Sequence, residues 1–124
     1  MNKIILITTS VFGTLAVIFG AFGAHYLKSK LGVAEIAIWK TAVDYQFYHT
    51  LALLGIANFS RSRSRLINAA FWFFSIGIIL FSGSLYILAL KSSIAPFIGP
   101  VTPIGGLFLI LGWLSILLAT IKNK

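Results

Sequence analysis

The residues best able to do chemistry in this chain are its histidines and a few polar side chains set within long apolar stretches. The chain has two histidines, His25 and His49, and two acids, of which Asp44 alone lies inside an apolar stretch. An imidazole in apolar surroundings can relay a proton or contact a ligand, and an intramembrane acid needs a partner. The candidate ligand or partner pocket is composed of His25, Asp44, Tyr45, Gln46, His49, Ser82, Ser84 and Tyr86.

The spacing of these residues argues against an enzyme and against a metal site. Cysteine is absent, so disulfides and thiolate ligands are excluded. There is no Gly-rich phosphate loop, no convincing Ser-His-acid order, and no second acid that would act as a pair with Asp44. Different depths for His25 and His49 disfavour a shared metal or a bis-histidine haem. We therefore predict no catalytic residue, no metal and no cofactor.

Four apolar runs must position the candidate residues, at about residues 4–26, 41–59, 66–90 and 104–121. Each is close to the roughly 20 helical residues that cross a bilayer. Hydrophobic residues make up 59% of the 124-residue chain, which is too much for a soluble domain of this size to bury. The sequence predicts an all-α membrane protein, a four-transmembrane-helix bundle forming a single domain over residues 1–124. Lys28–Trp39 is predicted to be an interfacial helix or loop.

The distribution of basic residues predicts the orientation. Basic residues favour the cytoplasmic side, and the compact Arg61–Arg65 hairpin decides an otherwise modest bias. We expect both termini and this hairpin in the cytoplasm. The first apolar run is longer than a usual signal core, so cleavage is not expected. We interpret the net charge of +8 as topology and contact with anionic headgroups, with no nucleic acid as partner.

Helical rise gives the depth of each polar residue. At about 1.5 Å per residue, Asp44 lies roughly 25 Å from Arg61, and His49 lies roughly 18 Å from it. By this counting the candidate residues fall in the outer leaflet, and the inner half is almost purely apolar. We therefore expect one shared polar region on the outer side. Asp44 either pairs with Lys40 among headgroups or with His25 across the helix pair. His49 either is satisfied by a neighbouring hydroxyl or amide, or relays protons or contacts a ligand.

Small residues recur at spacings of three, four and seven, which lets helices approach closely. We expect the first and fourth segments to pack on each other through Gly20 and Gly112. The aromatic residues, including Trp39 and Trp113, are interpreted as mostly lipid-facing or interfacial. The residues assigned to helix packing are Gly13, Gly20, Gly23, Gly77, Gly105 and Gly112.

Four ordered motifs resemble a known family. They are Gly20–His25, Trp39–His49, Phe81–Tyr86 and Thr102–Gly106, the last followed by Gly112 and Trp113. This pattern resembles the small bacterial inner-membrane family called domain of unknown function 423, which is related to eukaryotic transmembrane protein 256. The resemblance implies a four-span, multi-pass protein of the bacterial cytoplasmic (inner) membrane and no established activity. The motif positions in this chain are His25, Tyr45, Gln46, His49, Ser82, Gly83, Ser84, Tyr86, Pro103, Gly105 and Gly106.

Three functions remain open from the sequence. The first is an accessory or binding subunit that docks on a larger membrane complex or holds a lipid-like ligand at an outer-leaflet polar pocket. Its partners would be membrane lipids, a larger membrane complex or a second copy. The alternative is a small proton-coupled transporter or channel acting as an oligomer, with Asp44 and His49 as the coupled pair. A membrane enzyme acting on lipid, with His25 or His49 as base, is the third. Transport requires a polar path to the cytoplasmic face, whereas binding predicts no water path through the cytoplasmic half of the bundle.

Overall fold

The computed structural model describes residues 2–58, 64–91, 93 and 95–122, and these residues form helices joined by short turns. Four long helices are α1 (Asn2–His25), α2 (Val33–Ala57), α3 (Arg65–Ala89) and α5 (Val101–Lys122). A 3-10 turn (Leu27–Ser29) follows α1, and the one-turn helix α4 (Ala95–Ile98) precedes α5. No strand occurs in the described part of the chain. The predicted all-α fold is confirmed.

Three stretches among the described residues are long and apolar enough to cross a membrane: Lys3–Ser29, Arg65–Ala89 and Ala95–Lys122. The helix α2 has 25 residues, which is a sufficient length, but its polar side chains lower its hydropathy. The count of four spans and the cytoplasmic placement of both termini therefore stay predictions. Within the Arg61–Arg65 hairpin, residues 61–63 lie outside the described residues.

The helix α2 begins earlier than the predicted second span, which started at residue 41. Residues 33–39, predicted to belong to an interfacial helix or loop, form the first turns of α2. Gly32 caps the helix in an extended conformation, and no glycine or proline interrupts the next 20 residues, so nothing separates the charged turns from the apolar ones. Glu35 in the first turn accepts a hydrogen bond from Lys91 at 3.1 Å, and this bond lowers the pKa of the Glu35 carboxyl.

Each long helix packs mainly on its neighbours in chain order. The helix α1 packs on α2, α2 packs on α3, and the most extensive contact joins α3 to α5. The expected close packing of the first and fourth segments is wrong, because α1 and α5 hardly touch within the described residues. A Cβ at Gly20 would lie 3.4 Å from Val43 of α2, and one at Gly112 would lie 2.6 Å from Phe74 of α3. Glycine spacing shows that another helix can approach closely, but it does not identify that partner helix.

Glycines close the contact between α3 and α5. A Cβ at Gly77 would lie 2.6 Å from the Leu109 side chain, and one at Gly105 would collide with the backbone of Phe81. Such close approach lets two helices pack by dispersion where lipid offers no hydrophobic driving force. The main buried cluster draws on all four long helices and includes Ile5, Leu53, Ile56, Phe71, Phe74, Ile78 and Leu109.

Replacing Gly105 with leucine should destabilise the bundle, because the new side chain must displace the α3 backbone at Phe81. We expect a loss of about 1–3 kcal/mol or more from overpacking. Gly55→Leu is the matched control, because a Cβ at Gly55 meets nothing within 4 Å. Thermal unfolding in detergent should show a lower Tm for Gly105→Leu alone. Equal Tm values for the two variants would contradict this packing.

Candidate functional site

The buried amide of Gln46 joins three helices. Its Nε2 donates to the backbone oxygen of Phe12 in α1 at 2.8 Å, and its Oε1 accepts from the Tyr86 hydroxyl of α3 at 2.6 Å. Nearer the start of α2, the indole of Trp39 donates to the backbone oxygen of Phe19 at 2.8 Å. Because an unsatisfied polar group in hydrocarbon costs several kcal/mol, these bonds fix α1 and α3 against α2.

Two serines of α3 make further bonds between helices. Ser82 donates to the backbone oxygen of Ala42 in α2 at 2.7 Å. The Ser84 hydroxyl lies 2.6 Å from that of Thr102 in α5, and it also donates to the backbone oxygen of Phe81. Both serines are buried, so these hydroxyls hold neighbouring helices together and do not face an open pocket.

The ring of His49 has a partner at each nitrogen. Its Nδ1 lies 2.8 Å from the backbone oxygen of Tyr45, and its Nε2 accepts from the indole nitrogen of Trp113 in α5 at 3.0 Å. A carbonyl oxygen only accepts and an indole N–H only donates. The proton therefore lies on Nδ1, and the imidazole is neutral in this arrangement. To gain a second proton, His49 must first lose the bond from Trp113.

One groove runs over His49 between α2, α3 and α5, and we call it the α2–α5 groove. It has a volume of about 490 Å³ and is mostly apolar. The Tyr45 ring lies 4.8 Å from the Phe81 ring, and the Trp113 ring lies 5.8 Å from the His49 ring. The lining residues are Tyr45, Tyr48, His49, Phe81, Gly106, Leu109, Ile110 and Trp113.

A second groove, the α1–α2 groove, lies between α1 and the first half of α2. Its volume is about 430 Å³. Its floor is apolar, whereas Lys40 and Asp44 form an ion pair of 2.9 Å at its edge. A Cβ at Gly23 would lie 2.5 Å from the Trp39 indole, so the absence of a side chain there lets the indole reach Phe19. The lining residues are Gly20, Gly23, Ala24, Lys28, Ile36, Trp39, Lys40, Val43 and Asp44.

The structure does not gather the eight candidate residues into one pocket. Asp44 lines the α1–α2 groove, while Tyr45 and His49 line the α2–α5 groove. His25 is exposed at the end of α1 and lines neither groove, and Asp44 pairs with Lys40 and not with His25. The remaining four, which are Gln46, Ser82, Ser84 and Tyr86, make the bonds within and between helices described above. Helical rise gives depth only, and rotation about the helix axis separates residues of equal depth.

Sequence reasoning missed Trp39 and Trp113 as hydrogen-bond donors. Trp39 is buried, and Trp113, although about half exposed, still reaches His49. A tryptophan in an apolar helix needs an acceptor for its N–H, and this requirement was the available signal. No group of three or more His, Cys, Asp or Glu side chains that could hold a metal occurs in the part of the chain that the structure describes.

Comparison with known proteins places the chain among small bacterial membrane proteins. The family described as "Protein of unknown function (DUF423)" matches residues 19–106. A UPF0382 membrane protein of Staphylococcus saprophyticus is 43% identical over 120 residues, covering 97% of this chain and 98% of that protein. The chain belongs to this family. The predicted resemblance is confirmed.

Other relatives cover the chain to the same extent. The UPF0382 membrane protein YwdK of Bacillus subtilis is 38% identical over 122 residues, covering 97% of this chain and 98% of its own length. The UPF0382 inner membrane protein YgdD of Escherichia coli is 38% identical over 127 residues, covering 99% and 93%. No solved structure matches. With its apolar helices, the chain is an integral, multi-pass protein of the bacterial inner membrane, as predicted.

Removing the Tyr86 hydroxyl should destabilise the fold, because Tyr86→Phe leaves the buried oxygen of Gln46 without its donor. We expect a loss of about 1–2 kcal/mol. Tyr48→Phe makes the same chemical change at a side chain that is 56% exposed, and it should have little effect. Thermal unfolding of both variants in detergent measures the difference. If Tyr86→Phe were as stable as Tyr48→Phe, the bond between Tyr86 and Gln46 would not be stabilising the contact of α3 with α2.

Proposed function

We propose that this protein is a lipid-binding or accessory subunit that holds a membrane lipid in the α1–α2 groove, on the outer side of the bilayer. The observation that carries the proposal is the make-up of this groove, which has an apolar floor and a charged edge. Lipids have the same division between apolar chains and a polar headgroup. A volume of about 430 Å³ also lies in the range of roughly 300–1,000 Å³ that is usual for ligand sites.

The floor of the groove suits an acyl chain. Gly20 places no side chain on the floor and Val43 lies across from it, while the Trp39 indole occupies the space beside Gly23. The Trp39 indole forms part of the wall and is fixed by its bond to Phe19. A fixed wall favours binding because little side-chain entropy is lost when the ligand enters.

The surroundings of His49 support binding over transport. Both ring nitrogens of His49 have partners, and the Trp113 bond must break before His49 can carry a proton. Asp44, the other member of the expected coupled pair, forms its ion pair with Lys40 and lines a different groove. Towards the inner half, Ile56 and Ile78 are buried in the apolar cluster. We therefore favour a bound lipid over a proton-coupled transporter or channel.

Filling the groove should remove the lipid. Gly20→Leu places a side chain on the groove floor, and Gly55→Leu adds the same side chain where nothing lies within 4 Å. We expect native mass spectrometry of protein purified from its own membranes to show bound lipid on the wild type and on Gly55→Leu. Gly20→Leu should lose it while keeping its helical circular dichroism. Equal retention of lipid by a folded Gly20→Leu variant would contradict the proposed function.

A further inference from the structure

The edge of the α1–α2 groove has more positive than negative side chains. The chain has only two acidic side chains. Glu35 pairs with Lys91 at 3.1 Å, and Asp44 pairs with Lys40 at 2.9 Å. Lys28 also lines the groove and takes part in neither ion pair. Since both acidic side chains are engaged with other lysines, Lys28 can pair with an anionic ligand.

The two lysines approach the groove from different elements. Lys28 lies in the 3-10 turn after α1, and Lys40 lies in the second turn of α2. An ammonium group has three donors, so Lys40 can bond to Asp44 and still offer hydrogen atoms to a ligand. With Asp44 included, the three charged side chains of the groove sum to one positive charge. That excess matches a ligand with one negative charge.

Apolar contact alone cannot make this groove prefer one membrane lipid over another. Leaving the bilayer for the groove moves an acyl chain from one apolar environment to another, so no hydrophobic driving force results. Selectivity must therefore arise at the charged edge, where the headgroup lies. Basic residues near a membrane surface attract anionic lipids by about 1 kcal/mol each.

We propose that the α1–α2 groove selects an anionic phospholipid, with its phosphate held between Lys28 and Lys40 and a chain on the Gly20 floor. This inference rests on the proposed function and names the ligand class of the same groove. A singly charged phosphodiester with an uncharged headgroup, such as phosphatidylglycerol, balances the excess charge. Phosphatidylethanolamine would bring its own ammonium group to an edge that is already positive. Free inorganic phosphate lacks the chain, and in its doubly charged form it meets repulsion from Asp44.

The test measures lipid affinity of the delipidated, full-length protein in detergent by native mass spectrometry. The probes are phosphatidylglycerol, phosphatidylethanolamine and inorganic phosphate. In the variant Lys28→Gln with Lys40→Gln, phosphatidylglycerol affinity should fall by roughly 25-fold, about fivefold per lysine. The matched control is Lys30→Gln with Lys122→Gln, which removes the same charge from residues that do not line the groove, and its affinity should equal that of the wild type. Phosphatidylethanolamine affinity should change little in either variant.

A third variant tests whether the lower lipid affinity results from the lost positive charge or from misfolding. Lys28→Gln with Asp44→Asn returns the edge to one positive charge, held by Lys40, so phosphatidylglycerol affinity should lie between that of the double lysine variant and that of the wild type. A large excess of inorganic phosphate should fail to displace the bound lipid. Displacement by inorganic phosphate would overturn the inference in favour of a free-phosphate site.

The outcomes also separate this inference from the proposed function. If Gly20→Leu abolishes binding of both lipids but the double lysine variant binds phosphatidylglycerol as the wild type does, the inference is wrong and the groove still holds lipid. If Gly20→Leu leaves the binding of both lipids unchanged, the proposed function is wrong as well.

Discussion

The structure depends on one constraint: polar side chains within apolar helices must find their partners inside the protein. The helix α2 has most of these side chains and is therefore bonded to every other long helix. Gln46 reaches α1 and α3, His49 reaches α5 through Trp113, and the Ala42 backbone oxygen accepts from Ser82. These bonds connect α2 to each of the other long helices, while α5 packs mainly on α3.

The same small residue has opposite effects at two helix contacts. Gly105 meets the α3 backbone at Phe81, so α3 and α5 close on each other and leave no space between them at that point. Gly20 meets only Val43, at 3.4 Å, and Gly23 accommodates the Trp39 indole. Between α1 and α2 an open groove remains, and both glycines line it. In our proposal, the charged residues at its edge give the groove a preference for anionic lipids.

The sequence alone predicted the class of fold, the family and the inner membrane, because long apolar runs and ordered motifs are read directly from residue order. It did not predict which helices touch, since glycine spacing on α1 and α5 contains no information about the partner. It also could not predict that Gln46 and His49, which are close in depth, contact different helices. The hydrogen-bonding roles of Trp39 and Trp113 required the acceptors at Phe19 and His49 to be known.

The most direct measurement of the central claim is photocrosslinking in native membranes with a phospholipid that has a photoactivatable acyl chain. Peptide mapping then identifies where the lipid resides longest. Lipid held in the α1–α2 groove predicts adducts concentrated on residues 20–44, which contain the whole groove lining. Adducts spread evenly over other exposed side chains, such as Ile79 and Leu117, would mean that lipid only surrounds the bundle, and would contradict a bound lipid.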